Sequence, residues 1–166
     1  MPMKKSDNPL EELFSETLRD IYFAEKQILK ALPKMAKEAT TPQLKQAFET
    51  HRDQTETHVE RLTQIFEQMG RPARAKTCEA ILGIIDEAKE NIEEFKGTPA
   101  LDPALVASAQ AVEHYEISRY GTLKTWANEL GLKDAAKLLD ATLQEEEKTD
   151  RLLTQLATSG INQKAA

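Results

Sequence analysis

Apolar residues recur along this chain at the three-to-four-residue spacing of an α-helix almost from end to end. The first stripe runs Leu13, Phe14, Leu18, Ile21, Ile28, Leu32 and Met35. Ser6, Asp7 and Asn8 precede it, Pro9 enters the first turn, and Glu11 and Glu12 follow where negative charge suits a helix start. This predicts a helix over 9–38, with Pro33 kinking it or leaving a broken turn. Thr41-Pro42 opens a second helix over 42–69 that carries Leu44, Phe48, Leu62, Ile65 and Met69 and stops at Gly70, with Pro72 beyond. A shorter stretch, 74–95, presents Ile81, Leu82, Ile84, Ile85, Ala88 and Ile92 and ends at Gly97-Thr98-Pro99. Asp102-Pro103 begins a helix over 103–130, Gly131 breaks it, and a last helix covers 133–158, leaving 159–166 as a tail expected to be mobile.

Short turns make the first two and the last two long helices antiparallel neighbours. The long middle connection, with its own helix, lets the second hairpin start at the opposite end. The expected architecture is an all-α, ferritin-like four-helix bundle with an extra helix in the crossover, a single domain over 1–166. Composition agrees: Ala, Leu, Glu, Lys and Gln dominate the long segments, and runs of strand formers are absent.

Charge narrows the partners. With 28 acidic against 22 basic residues the formal charge is −6, and no basic cluster opposes it, so nucleic-acid binding is disfavoured. A single cysteine, Cys78, cannot close an internal disulfide. The start MPMKKSDNP lacks a signal peptide's apolar stretch, and no segment approaches the roughly 20 apolar residues of a membrane span. A cytoplasmic protein without a membrane partner is expected.

The stripes are not clean. Glu25 interrupts the first, and His51, Thr55 and His58, with Gln54 beside them, interrupt the second. Glu113 and Glu116 break the stripe of 103–130, and Glu146 and Asp150, flanked by Glu145, break that of 133–158. A turn near residues 39 and 40 sets Glu25 level with Gln54, with His51 and His58 roughly 4.5 to 6 Å along the axis on either side. A turn at Gly131 sets Glu116 level with Glu146, and Glu113 level with Thr149 and Asp150. Each hairpin thus carries its polar residues midway along its length. Several ionised carboxylates cannot share a dry space unless a cation joins them. Iron or manganese suits hard oxygen donors with a little imidazole. The usual dinuclear pattern takes a Glu from each of two helices and Glu-x-x-His from the others. Glu25 and the pair Glu113-x-x-Glu116 fit it in part, while no strict Glu-x-x-His occurs in the second or last helix. The candidate metal set is Glu25, His51, Gln54, His58, Glu113, Glu116, Glu146 and Asp150.

Each of these residues has a plainer reading. Glu113 and Glu116 would also suit a solvated boundary, and His51 and His58 would also suit satisfied core positions. Glu147 reads as surface, as do Asp53, Glu56 and Glu60, with Asp53 and Glu56 the fallback if the helix is rotated. Tyr22, Tyr115, Tyr120 and Trp126 read as core. Tyr22 and Asp20, within a turn of Glu25, are candidate supporting donors. No phosphate loop, G-x-S-x-G, CxxC or EF-hand loop is present.

The strings LRDIYFAEKQILKALPKM, AFETHRDQTETHVERL, VEHYEISRYGTLKTWANELG and AAKLLDATLQEEEKTDRLLTQLA resemble the YciF/YciE family of bacterial ferritin-like stress proteins, in order and over almost the whole chain. The resemblance implies a ferritin-like fold, a homodimer and a link to stress responses, with an ill-defined activity. It carries the polar core onto Glu25, His51, Glu113, Glu116, Glu146 and Asp150, and implies that the position of Gln54 is often Glu, so that Gln removes a potential bridging carboxylate. The leading expectation is a site for two ions, iron or manganese, mixed or partly occupied, that reacts with oxygen or peroxide as an oxidase or peroxidase, or that buffers metal. The alternative is a metal-free bundle acting as a structural or interaction module. The apolar stretch from Ile81 to Ile92 is one candidate dimer surface.

Overall fold

The structure, a computed structural model, describes residues 6–166. The absence of a leader's apolar stretch in residues 1–5 therefore lies outside the described residues. The elements are α1 (Pro9–Glu38), α2 (Pro42–Gln68), α3 (Glu79–Phe95), α4 (Leu101–Glu129) and α5 (Lys133–Leu156), then a segment kinked at Gly160 (Ala157–Ile161) and α6 (Asn162–Ala165). The hairpins α1–α2 and α4–α5 pack side by side, α2 against α5 and α1 against α4, and α3 lies across α1 and α4. Phe14, Leu18, Ile21, Leu44, Phe48, Leu62, Leu105, Leu123 and Leu139 fill the core between the hairpins. This is the ferritin-like bundle that the periodicity predicts. Among the described residues, no helix is long and apolar enough to cross a membrane.

The local signals act where expected. Asn8 caps α1, its side-chain oxygen accepting from the amides of Leu10 at 3.0 Å and Glu11 at 3.4 Å. Gly70 and Gly131 take the left-handed conformation (φ +64° and +73°) that closes α2 and α4. The amides of Arg71 and Leu132 then bond back to the carbonyls of Phe66 and Ala127, the reach-back of a Schellman ending.

Three expectations need correction. α1 runs unbroken through Pro33, which lies on the exposed face, where the carbonyl it leaves unpaired can turn to water. α3 starts at Glu79 rather than 74. Residues 71–78 instead lie extended along α1: Arg71 binds the Ser15 hydroxyl at 2.8 Å and Glu12 at 2.8 Å, and the Lys76 amide donates to the Arg19 carbonyl at 3.2 Å. The tail expected to be mobile leaves helical geometry at Gly160, buries Ile161 in the core and ends in one short helical turn to Ala165. Ile81, Ile85 and Ala88 face inward, while Leu82, Ile84 and Ile92 remain partly exposed.

One polar contact locks the hairpins together at the α1–α2 turn. The Asp102 carboxylate, in the first turn of α4, accepts from the Thr40 amide (2.8 Å) and hydroxyl (2.9 Å), the Thr41 amide (2.7 Å) and the Thr41 hydroxyl. Burial alone would raise its pKa, but these donors hold it below the ordinary carboxylate range. Asp102→Ala should cost about 2–3 kcal/mol, lowering the thermal midpoint by roughly 5–10 °C at neutral pH. A depressed pKa contributes stability above the unfolded value that is lost as pH falls through the folded one. The gap between variant and parent, followed by thermal unfolding, should therefore narrow below about pH 4.

Candidate metal centre

Six ionisable side chains from four helices meet at mid-height of the bundle: Glu25 of α1, His51 and His58 of α2, Glu113 and Glu116 of α4, and Glu146 of α5. None is more than 3% exposed. His51 and His58 lie two turns apart on α2, their ring centres 6.1 Å from each other. Two groups of ligand atoms form, each closing within 4.8 Å: His51, Glu113, Glu116 and Glu146, and Glu25, His58 and Glu146. Glu146 belongs to both. The cluster could hold a metal ion.

The orientation of the polar atoms points the same way. His51 Nε2 lies 2.8 Å from Glu113 and 3.7 Å from Glu146, and His58 Nδ1 lies 2.9 Å from Glu146 and 3.3 Å from Glu25. Yet both ring nitrogens lack an aligned hydrogen bond, as do one oxygen each of Glu25 and Glu113 and both oxygens of Glu116 and Glu146. Buried polar atoms are almost always bonded. Here eight of the nine unpaired ones among the described side chains, all but that of Asp20, belong to a single cluster.

Outer partners fix the rings. His58 Nε2 meets Glu145 at 2.8 Å, and Arg61 grips that carboxylate with two bonds of 2.9 Å each. A proton on Nε2 therefore leaves the Nδ1 lone pair facing the cluster. His51 Nδ1 faces the Gln54 side-chain oxygen at 3.4 Å and the Thr149 hydroxyl at 3.5 Å, which directs Nε2 inward. The Tyr120 hydroxyl donates to Glu25 at 2.5 Å.

Gln54 is thus a neighbour of His51, and His58 takes the place beside Glu25 that the level of the hairpin assigns to Gln54. Side chains lean toward their own helix N-terminus, so in an antiparallel pair the leans of Glu25 and His58 bring together residues that backbone level alone separates. Asp150 lies outside both groups. Its carboxylate meets His114 at 3.1 Å and the Gln110 amide at 3.2 Å, while Thr149 holds the inward position. Tyr22 stacks edge-on against Phe66 at 5.6 Å and does not reach Glu25. Asp20, half-buried with one unpaired oxygen, also stays apart from the cluster. The contributions of Tyr120, Glu145 and Arg61 were not read from the sequence. The only trace was His58-x-x-Arg61 facing a doubled Glu145-Glu146.

Two antiparallel hairpins joined by a crossover, with their charged side chains gathered inside, place the molecule in the ferritin-like class of helical bundles. Residues 9–166 match the family described as a domain of unknown function, DUF892, and the chain belongs to that family. It is 45% identical to the protein YciF of Escherichia coli K12 over 157 residues, 94% of this chain and 95% of that one. The crystal structure of the E. coli stress protein YciF superposes with a TM-score of 0.88 at 43% identity, covering 96% of this chain and 99% of that one. A Rhodopseudomonas palustris protein, YcfI, whose description proposes a structural role, matches at a TM-score of 0.87 and 45% identity over 92% and 97% of the two chains. A Xanthomonas campestris protein shares the fold at a TM-score of 0.73 and 21% identity over 95% and 96%.

Without metal, protons must do the neutralising. Burial alone would lower His51, but the Glu113 and Glu146 carboxylates raise it to about 9. Burial likewise opposes charge on His58, and Glu25, Glu145 and Glu146 raise it to about 12. Burial pushes Glu113 and Glu116 well above the ordinary range, with the Glu146 charge adding to the effect. Glu146 is held low, against its burial, by the adjacent Glu113 and Glu116 carboxyls and by the His51 charge. Raised values contribute stability below the unfolded pKa that is lost as pH rises through the folded one, and both histidines and both raised glutamates act in this direction. The thermal midpoint of metal-stripped protein should therefore fall as pH is raised from about 6 to above 9, the upper limit of the His51 window. Thermal unfolding across that range checks it. A flat profile would show that these groups are not charged as described.

Proposed function

We propose that this chain is a metal-binding stress protein whose core holds two ions of iron or manganese. Glu25, His58 and Glu146 would hold one ion, and His51, Glu113 and Glu116, with Glu146 common to both sets, would hold the other. The observation carrying this reading is the convergence of eight unpaired buried polar atoms, from six side chains on four helices, on one volume. Oxygen-rich donors with two imidazoles suit iron and manganese better than zinc or copper. When bound, such ions supply redox chemistry toward oxygen or peroxide, or serve as a metal reserve. The chain's own work is to position ligands. Arg61 and Glu145 hold His58, Gln54 and Thr149 face the outer nitrogen of His51, and Tyr120 fixes Glu25. The stress assignment extends to this chain what is said of E. coli YciF, and the family resemblance adds a homodimer.

A second reading, a metal-free structural module, draws on the pairs His51–Glu113 and His58–Glu146, which at 2.8 and 2.9 Å can neutralise each other. It also fits the structural role proposed for the Rhodopseudomonas relative.

Elemental analysis of protein purified without chelators separates the two. About two iron or manganese ions per chain are expected. Glu25→Ala and Glu116→Ala should each lose one ion, and Glu146→Gln should lose both. A chain that stays metal-free after anaerobic loading with ferrous iron or manganese would leave the structural reading.

A further inference from the structure

A cavity of about 280 Å³ opens beside α3 and reaches inward to His51 and Glu113. Its volume lies near the lower end of small-molecule sites, roughly 300–1,000 Å³. The walls are apolar, with Leu32, Phe48, Ile85, Ile92, Val112 and Leu153 among them. Ala31, Ala47, Ala88 and Ala109 leave open the space that larger side chains would fill. Polarity returns only at the two ends. At the inner end are His51, Glu113, Ser108 and Thr149, and at the mouth are the exposed lysines Lys34, Lys37 and Lys89 with Glu38 and Glu93.

The charge at the mouth runs against that of the chain. Glu38 is paired with Lys96 at 3.3 Å, and Lys89 leans toward Asp86 at 3.5 Å. Lys34 and Lys37 line the opening with no ion pair among those described, against the single carboxylate there that also has none, Glu93, in a chain of net charge −6. A hydrated cation would gain nothing from apolar walls behind a lysine rim. Dioxygen needs neither the volume nor the lysines.

We infer that this cavity binds an amphipathic organic anion, an unbranched alkyl chain bearing a carboxylate. The head meets Lys34 and Lys37, and the far end of the chain reaches His51 and Glu113. As a statement about the metal centre's substrate class this rests on the reading proposed above. As a binding site it rests on the cavity and its rim alone.

The test is titration of the full-length protein with dodecanoate below its micellar concentration, by calorimetry and by NMR of the three histidines, His51, His58 and His114. Saturable one-to-one binding is expected, with the His51 resonances shifting and those of exposed His114 unmoved. Ala88→Phe and Ala109→Phe, which fill the cavity from α3 and α4, should each weaken binding about tenfold or more, the scale of leaving two methylenes in water. Circular dichroism confirms that each variant is folded, and the α3 variant keeps the test valid if the α4 variant is not. Lys34→Glu/Lys37→Glu should weaken dodecanoate but not dodecanol. No saturable binding, affinity unchanged in a folded cavity-filled variant, equal shifts at His114, or equal affinity for dodecyltrimethylammonium would each overturn the assignment. Metal content is read on the same preparations. Dodecanoate bound at His51 in a chain that takes up no metal would sustain the binding site while ending the metal-centre reading.

Discussion

Four carboxylates and two imidazoles share one dry layer of this bundle, and the rest of the structure must accommodate the electrostatic cost of that layer. Taking even one carboxylate out of water costs several kcal/mol unless charge or hydrogen bonds replace the lost hydration. The core supplies only part of the replacement. Tyr120 covers one oxygen of Glu25, and the two histidines approach Glu25, Glu113 and Glu146, but both oxygens of Glu116 and both of Glu146 find no aligned donor. The deficit lies on the inner side of the cluster, whereas the outer side is well bonded. A core arranged only for stability would fill these positions with Leu or Ile. The metal-binding reading proposed above gives these orphaned carboxyls a partner.

The surroundings serve that layer in different ways. Glu145 is held at a pKa of about 2, because the His58 bond and the Arg61 guanidinium outweigh its partial burial, so it remains a fixed acceptor for His58 across the physiological range. Asp102 clamps the α1–α2 turn to the start of α4, setting the register between hairpins that brings Glu25 and His58 to the level of Glu113, Glu116 and Glu146. The cavity beside α3 gives the layer an apolar approach that the tight packing of the rest of the core denies it.

Much of this could be read in the chain, and where it could not, the reason is tertiary. Helix ends at Asn8-Pro9, Thr41-Pro42, Gly70 and Gly131 are local chemistry and appear in the sequence as such. The start of α3 was misplaced because Ala73, Arg74, Ala75 and Lys76 are good helix formers, held extended by contacts with α1 that no local signal announces. Ile161, a lone apolar residue near the end, carries no periodicity, yet it is buried in the core. In the candidate site, charge interrupting four apolar stripes at one height was enough to find Glu25, His51, His58, Glu113, Glu116 and Glu146. Choosing between His58 and Gln54 as the neighbour of Glu25 needed the lean of side chains along antiparallel helices. Choosing between Thr149 and Asp150 needed the rotation of α5, which the spacing of leucines defines only to within one position.

The account's central claim is that the buried layer opposes stability unless a cation occupies it. The most direct test is thermal unfolding of metal-stripped protein beside its Glu116→Leu variant, since Glu116 has both oxygens unpaired. Burial opposes the charged form of Glu116 and pushes its pKa well above the ordinary range, so replacing this buried carboxyl with an apolar side chain of similar volume should stabilise the stripped protein by about 1–4 kcal/mol, a rise of several degrees in its midpoint. The same variant should gain less than the parent from added manganese. A variant that melts lower than the stripped parent would contradict the claim, because Glu116 would then hold the fold together by itself.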